Sequence, residues 1–466
     1  MRKSYLLGGA LLAAALFVTT SCKEVMGSLD NPVSSYLEMN KKDVSLWVGQ
    51  KDSYPATSIS PEKIEFNSSD PNVVTVDDQG NIEAVGAGTA TITAFVKGND
   101  EYKEGNVSYN VEVKEFDLVE QYAEALEAAD GDVTIEIPVD VKAIQTGKLK
   151  TKAGRKLTVK SADAKNPSTI TLKDMVDGNN KAVPAFQINA SFVLKDVYID
   201  ATETIAGVDL VRLGTDPETT KTNQDVYLTG DVKDAVEAAN KTALDATLYI
   251  MDEITIENCW IKNLKSAVIF DGSVDWAIEK IDIKNNLIQL DVANAHFVRV
   301  PAAREANIVN NTVYNINTGA GNSCYFFRFE NGNTAKRAYG HNIVNSIPLK
   351  YTISNNTLVR TMAGKDFANN VPNYSTVSVT AENNILYDVY RFNKFFQSNQ
   401  NKTYDNNFIF WKDVEEQNDD ETYATKLLSA PFENPTTQLD FTQENGGWNL
   451  KPTGAAAGAG ASRWNE

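Results

Sequence analysis

Cysteine, histidine and positive charge are all scarce in this chain of 466 residues, and each shortage excludes something. There are three cysteines. With Cys22 set aside, Cys259 and Cys324 are too few for a disulfide framework and read as small buried residues. Two histidines, His296 and His341, leave little for a His-rich zinc site or a Ser–His machine, and no metal centre is expected. Lys and Arg number 44 against 62 Asp and Glu, a formal charge of −18. Such a chain repels nucleic acid and anionic membrane over long range, so nucleic acid is not an expected partner. Hydrophobic content of 42% marks a globular protein, and the length suits two or three domains.

One long apolar run is present, at the N-terminus. LLGGALLAAALFV follows Arg2 and Lys3 and is too short to remain as a spanning helix. It ends in VTTSC. A small residue before a cysteine at that place resembles the lipobox of bacterial lipoproteins. The resemblance implies a signal peptide over 1–21, cleavage before Cys22 and lipid on its sulfur. The alternative is a plain secretory signal with a chance cysteine. Cleavage removes Arg2 and Lys3 and no acid, taking the formal charge from −18 to −20. Lys23-Glu24 resembles a signal that sends some lipoproteins to the outer cell surface, although Val25 stands where a second acid is usual. The implied location is the outer membrane, exposed on the cell surface.

Residues 22–35 carry Gly27, Asn31 and Pro32 and read as a tether. Short β-type runs follow: VSLWV (44–48), KIEF (63–66), NVVTV (72–76), TATITAFV (89–96) and VSYNVEV (107–113). Regular short strands of this kind predict a sandwich over 36–115. The stretch FNSSDPNVVTVDDQGNIEAVGAGTATITA (66–94) resembles the bacterial Ig-like group 2 family, with Phe66 where the family usually has Trp. That resemblance implies a spacer or adhesive stalk.

Beyond residue 250 one arrangement recurs: apolar, any, Asn, Asn, any, apolar. It reads IKNNLI (283–288), IVNNTV (308–313), ISNNTL (353–358), AENNIL (381–386) and YDNNFI (404–409). IENCWI (256–261) has Cys259 in the second place. The first Asn positions, 258, 285, 310, 355, 383 and 406, are separated by 27, 25, 45, 28 and 23 residues. Short strands repeating at this period, without helical crossovers, predict a parallel β-helix. In such a coil like residues stack on like, about 4.8 Å apart. An Asn at an inward bend offers two donors and two acceptors, tolerates left-handed backbone and can ladder with the Asn above and below. The pairs are therefore corners, structural rather than catalytic.

DLVEQYAEALEAADGDVTIEI (117–137) predicts an amphipathic helix, with Leu118, Tyr122, Ala125, Leu126 and Ala129 on one face, capping the first coil. Residues 214–247 break the rhythm and read as an insertion holding a helix in DVKDAVEAANKTAL. The β-helix pattern, the asparagine corners and the tail GWNLKPTGAAAGAGASRW (447–464) resemble the pectin-lyase-like superfamily. More narrowly they resemble two domain-of-unknown-function families on bacterial surface lipoproteins of glycan-utilisation systems. The resemblance implies an all-β chain, with the Ig-like sandwich followed by a right-handed parallel β-helix over 116–430. The tail, 431–466, would close it. It also implies a polysaccharide ligand, often pectin, and partner proteins of a glycan-uptake complex. No catalytic motif carries over.

Three runs place a cation among apolar residues: HFVRVP (296–301), YFFRFE (325–330) and FNKFFQ (392–397). Arg299, Arg328 and Lys394 would then project from one strand type on neighbouring coils, a column suited to a uronate polymer. Taking YFFRFE as a strand puts a long turn at about 331–349; the competing register makes FENGNT (329–334) another corner. Trp260, Tyr325, Tyr390 and Trp411 are candidates to stack on sugar rings, or are packing. The cations read equally as solvated outer-face residues, or as partners of Asp271, Asp388 and Glu330. Two functions follow. One is a surface protein that binds acidic glycan and needs no cofactor. The other is a polysaccharide lyase with Lys394 as base and Arg328 as clamp. In many relatives calcium does the clamping through clustered carboxylates, and Asp271 and Asp275 are the nearest pair here.

Overall fold

The computed structural model describes residues 32–40, 43–216, 221–239, 247–271, 275–293, 295–317, 325–330, 338–339, 347–361, 366–389, 391–392, 394–411, 422–432 and 438–465. Cys22 and the leader, Cys324, His341 and Tyr390 lie outside them.

Alternating residues build the N-terminal sandwich. Asp43–Trp47, Gly105–Lys114, Gly88–Val96 and Ile64–Ser68 form a four-stranded sheet. Lys51–Ser53, Asn81–Ala84 and Val74–Val76 form a three-stranded one. In Gly88–Val96, Ala90, Ile92, Ala94 and Val96 are buried, the period-2 face of a strand on a core. The strand Lys51–Ser53 is exposed throughout and has no apolar residue to announce it.

From Phe116 the chain coils. From Val133 to Asn369, seven successive turns each give one strand to each of three parallel sheets, in the same order. Among the described residues the first sheet runs from Val133–Ile137 to Asn401–Asp405 in nine strands. The second runs from Phe116–Asp117 to Thr425–Lys426 in eleven, and the third from Leu149–Lys150 to Ala368–Asn369 in seven. One apolar core fills the interior from Phe116 to Ala424. The protein is thus all-β, an Ig-like sandwich followed by a parallel β-helix. YFFRFE supplies the third-sheet strand Phe327–Phe329, and Thr312 pairs with Thr357, so the 45-residue interval is one coil; most of the turn expected at 331–349 lies outside the described residues.

The asparagine pairs turn the chain from the first sheet into the second, and the two members divide the work. The first adopts left-handed backbone: φ is 55° at Asn258, 59° at Asn285 and Asn310, 56° at Asn355 and Asn383, and 51° at Asn406. The second is buried and forms the ladder. Asn286 donates to the Oδ1 of Asn311 (3.0 Å), Asn311 to Asn356 (3.1 Å), Asn356 to Asn384 (3.0 Å) and Asn384 to Asn407 (2.8 Å). Each also donates to a first-sheet carbonyl, Asn311 to Ile283 at 2.8 Å for example. Each Oδ1 in turn accepts the backbone N–H of the preceding corner, as Asn286 N–H to Asn311 at 3.1 Å. Every side-chain donor and acceptor is thereby used inside the core. Cys259 ends the ladder. It is fully buried, its Sγ lies 3.2 Å from the Glu257 carbonyl, and burial pushes its thiol up to about 12.

Helix Leu118–Ala128 lies at the first coil. Asp117 caps it, accepting the Val119 N–H at 2.8 Å and, from the coil, the Thr146 N–H at 3.1 Å. Leu118 and Tyr122 are buried. Arg155 donates to the carbonyls of Leu126, Ala129 and Gly131 at the other end, which satisfies carbonyls that have no partner within the helix. In the insertion, helix Gly230–Ala238 forms within the segment expected to be helical. The sandwich meets the first coil directly: Lys142 N–H donates to the Val48 carbonyl at 2.9 Å, and Trp47 packs edge-on against Phe116. Gly49, at φ 94°, is needed there, because a Cβ would fall 2.3 Å from the Asp140 carbonyl oxygen.

Residues 438–465, expected to close the β-helix, lie along the outer face of the second sheet. Leu439, Trp448, Leu450, Ala459, Ala461 and Trp464 bury Leu287, Tyr314, Val359, Ile385 and Phe408. Trp464 Nε1 donates to Thr312 at 2.8 Å and Ser462 N–H to Asn310 Oδ1 at 2.6 Å. Small residues permit this approach: at Gly460, φ 80°, a Cβ would meet Thr357 Oγ1 at 2.5 Å.

Asn311→Ala should lower stability by about 1–3 kcal/mol, the cost of leaving buried partners without hydrogen bonds. Denaturant unfolding of the variant checks this, and an unchanged midpoint would mean that the ladder does not hold the coils.

Candidate functional site

Stacking of the third-sheet strands turns one outward position per coil into a column. Register pairs Lys150 with Gln187, Gln187 with Arg212, Arg212 with Phe270, Arg299 with Arg328, and Arg328 with Asn369. Ile269 pairs with Val298, which sets Phe270 beside Arg299. Two of the three cations read from the sequence, Arg299 and Arg328, are therefore neighbours on adjacent coils.

Lys394 is not in a strand of this sheet. The third sheet ends at Ala368–Asn369. Lys394 is exposed at φ 64°, with its carbonyl accepting from Gln397 Nε2 at 2.6 Å. That backbone is a turn, and no extended strand passes through it. The aromatic residues that suggested a strand, Phe392, Phe395 and Phe396, are buried at this turn. Trp260 also lies elsewhere. It belongs to the second sheet, stacked on Tyr198 at 4.9 Å, and packs at the edge of the tail-covered cluster. Trp411 follows the second-sheet strand Phe408–Phe410.

Arg299 is fully engaged. Its Nε lies 3.1 Å from Asp271 Oδ2 and 2.5 Å from Glu330 Oε2, and its guanidinium sits 5.0 Å from the Phe270 ring centre. Arg212 approaches the same ring at 5.3 Å while its Nε bonds Asp209 at 2.7 Å. Phe270 thus lies between two guanidiniums, each held by a buried carboxylate. Asp388, the other acid named as a partner for the column, pairs instead with Arg360 at 3.3 Å.

Arg328 differs. It has no ion pair among the described residues. Its Nη1 is 2.9 Å from His296 Nε2, it lies 5.8 Å from the Tyr325 ring centre, and its Nε is buried without a partner. His296 Nδ1 faces the Tyr325 N–H at 3.0 Å. Burial and the two arginines push His296 down to about 4, so at neutral pH it has one lone pair for two donors. Arg328 is left as a half-buried cation with unmet hydrogen-bonding capacity.

The two acids on Arg299 titrate as a pair. Burial and the hydrogen bond with Glu330 push Asp271 up to about 7. Glu330, despite its own burial, is held below the usual carboxylate range by Asp271 and Arg299. One proton is shared across the pair at moderately acid pH. Asp275 is exposed and outside it. Among the described residues no group of three or more His, Cys, Asp or Glu is placed to hold a metal ion. The lyase reading took Lys394 and Arg328 from one strand type; Lys394 stands on a turn, whose Phe395 packs against Phe367, and Arg328 on the strand Phe327–Phe329.

Residues 47–107 match the bacterial Ig-like domain, group 2. Comparison with curated proteins and with solved structures returns no match. The third-sheet column lies outside the matched segment.

Sequence reading missed Arg212, Phe270 and His296 as members of this site. A signal was there. VRL (211–213), VRV (298–300) and FRF (327–329) are one motif, an Arg between two buried apolar residues.

Asp271 gives a pH prediction. Its pKa is raised on folding, so it stabilises the fold at low pH, and that contribution is lost as pH rises towards 7. Glu330 works in the opposite sense, losing its contribution only below the ordinary carboxylate range. Asp271→Asn keeps the shape without the charge. Its melting temperature relative to wild type should therefore be higher at pH 8 than at pH 5. A gap independent of pH would show that Asp271 does not titrate in this window.

Proposed function

We propose that this chain is a cell-surface lipoprotein that binds acidic polysaccharide, of the uronate-rich pectin type, along the outer face of the third sheet. The observation that carries the reading is Arg328, a half-buried guanidinium that has no ion pair among the described residues on a chain of charge −18. A guanidinium offers a planar fork that a uronate carboxylate satisfies with two bonds. Tyr325 and Phe270 beside it supply ring surface for the apolar faces of sugars. Arg299 serves differently: its carboxylates occupy it, and it orders the neighbouring coil. Binding on this reading needs no cofactor, and the expected partners are the polysaccharide and the other proteins of a glycan-uptake system. Anchorage is proposed through Cys22, on the strength of VTTSC and Lys23-Glu24.

Arg328→Ala should weaken binding of polygalacturonate, measured by calorimetry, by about 1–3 kcal/mol, the scale of a lost charged hydrogen bond, with melting nearly unchanged. Wild-type affinity should also fall as salt rises. Arg299→Ala should instead lower the melting temperature, because it leaves Asp271 and Glu330 facing each other without a cation. Equal affinity of the Arg328 variant and wild type would move the site off this face.

Cys22→Ala should release the protein from the membrane fraction of cells, and protease added to intact cells should digest the wild type. Retention of the variant in membranes would refute lipid anchorage, and a protected wild type would refute surface exposure.

A further inference from the structure

His296 is held in a contact that neither protonation state of its imidazole satisfies. Two N–H donors face its two ring nitrogens. The Tyr325 backbone N–H lies 3.0 Å from Nδ1, and Arg328 Nη1 lies 2.9 Å from Nε2. A guanidinium and a backbone N–H can only donate. A neutral imidazole has one proton and one lone pair, and an imidazolium has two protons and none. In the neutral ring one N–H therefore points at another N–H. In the charged ring both do, so the geometry itself favours the neutral form. Burial and the charges of Arg328 and Arg299 act in the same direction, with Glu330 opposing them.

The two donors differ in whether they can go elsewhere, and this decides which nitrogen holds the proton. Tyr325 is fixed through its main chain, since its carbonyl accepts the Phe297 N–H at 3.2 Å. Among the described residues its own N–H has no acceptor but Nδ1, and a backbone N–H left unpaired is costly. Arg328 is a side chain and can turn. The lone pair therefore belongs to Nδ1, and Nε2 carries a proton aimed at Arg328 Nη1. The ring is carried on fixed backbone. It packs beside the Tyr325 ring with centres 5.5 Å apart, and Phe297, the next residue, stacks on Phe326 at 4.4 Å in the core. His296, Tyr325 and Arg328 are all partly exposed, so a ligand can reach them.

We infer that His296 Nε2–H and Arg328 Nη1–H form a two-donor site for one oxygen of a ligand carboxylate, so that His296 binds the uronate directly. The inference rests on the acidic-polysaccharide reading and adds a second binding residue to it. An oxygen seated between the two nitrogens parts them and turns a donor–donor contact into two hydrogen bonds, one of them charge-assisted. A carboxylate suits the place because it accepts without donating and brings the charge that the guanidinium lacks a partner for. The neutral imidazole adds a donor and no charge.

The test uses the full chain labelled with isotopic nitrogen in its histidines and read by long-range proton–nitrogen NMR. Only two histidines are present, so His341→Gln leaves His296 as the sole imidazole. In the free protein Nδ1 should be unprotonated and Nε2 protonated, and saturating oligogalacturonate should move the Nε2 signal and its proton. The reverse tautomer, or an Nε2 signal that the ligand leaves in place, overturns the inference. His296→Asn keeps an oxygen near the Nδ1 position for the Tyr325 N–H but puts no donor at Nε2. It should bind oligogalacturonate about ten-fold more weakly, the scale of one lost hydrogen bond to a charged group. His296→Gln, whose amide reaches the Nε2 position, should recover most of that loss. Wild-type affinity in His296→Asn, with binding still lost in Arg328→Ala, overturns this inference and leaves the polysaccharide reading standing. Wild-type affinity in both variants removes the two together.

Discussion

Everything in this solenoid depends on the coils keeping register, and a single file of buried amides sets it. Asn286, Asn311, Asn356, Asn384 and Asn407 each spend both amide hydrogens and the carbonyl oxygen on the coils beside them. In a dry interior an unmade bond of this kind is expensive, so a coil that slipped by one residue would orphan several at once. Parallel strands alone do not give this precision, because a one-residue slip still allows backbone pairing while it turns every side chain to the wrong face. The ladder therefore acts on specificity as much as on stability.

Fixed register is what makes surface chemistry on this fold. Residues 29 to 62 positions apart in sequence become neighbours at the strand spacing of about 4.8 Å. Arg212, Phe270, Arg299 and Arg328 become one column by this route, and Tyr198 and Trp260 become one stack. The two arrays differ in what covers them. The second sheet is covered by the tail, which buries Leu287, Ile385 and Phe408. At the Arg328 end of the third sheet the outward residues Arg299, Arg328 and Asn369 are partly exposed.

How legible was this in the sequence? The corners were, because each coil repeats the same demand: one residue that accepts positive φ, then one amide that bonds up and down. That demand leaves a paired signature wherever it is met. Arg299 and Arg328 were legible for the same reason, through VRV and FRF in matching places. Lys394 misled because FNKFFQ imitates a strand in composition, while the feature that decides its conformation, a φ of 64°, leaves no mark on apolar spacing. Arg212 was hidden by the insertion at 214–247, which stretches the interval to the next coil beyond the repeat. The place of Trp260 could not be read locally at all, since what packs over it is a tail far along the chain.

The remaining question is how so acidic a chain could hold an anion. Net charge acts at long range but is screened over about 8 Å at physiological ionic strength, so the groups that decide are those within the column. Arg299 and Arg328 supply two positive charges, Glu330 one negative, and His296 stays neutral because burial and both arginines oppose its protonation. Asp271 then sets the balance. While protonated it leaves the group with a net positive charge, and once ionised it brings the sum to zero. On the proposed reading, the same carboxylates that order Arg299 would decide whether Arg328 meets an incoming carboxylate with a surplus of positive charge or with none.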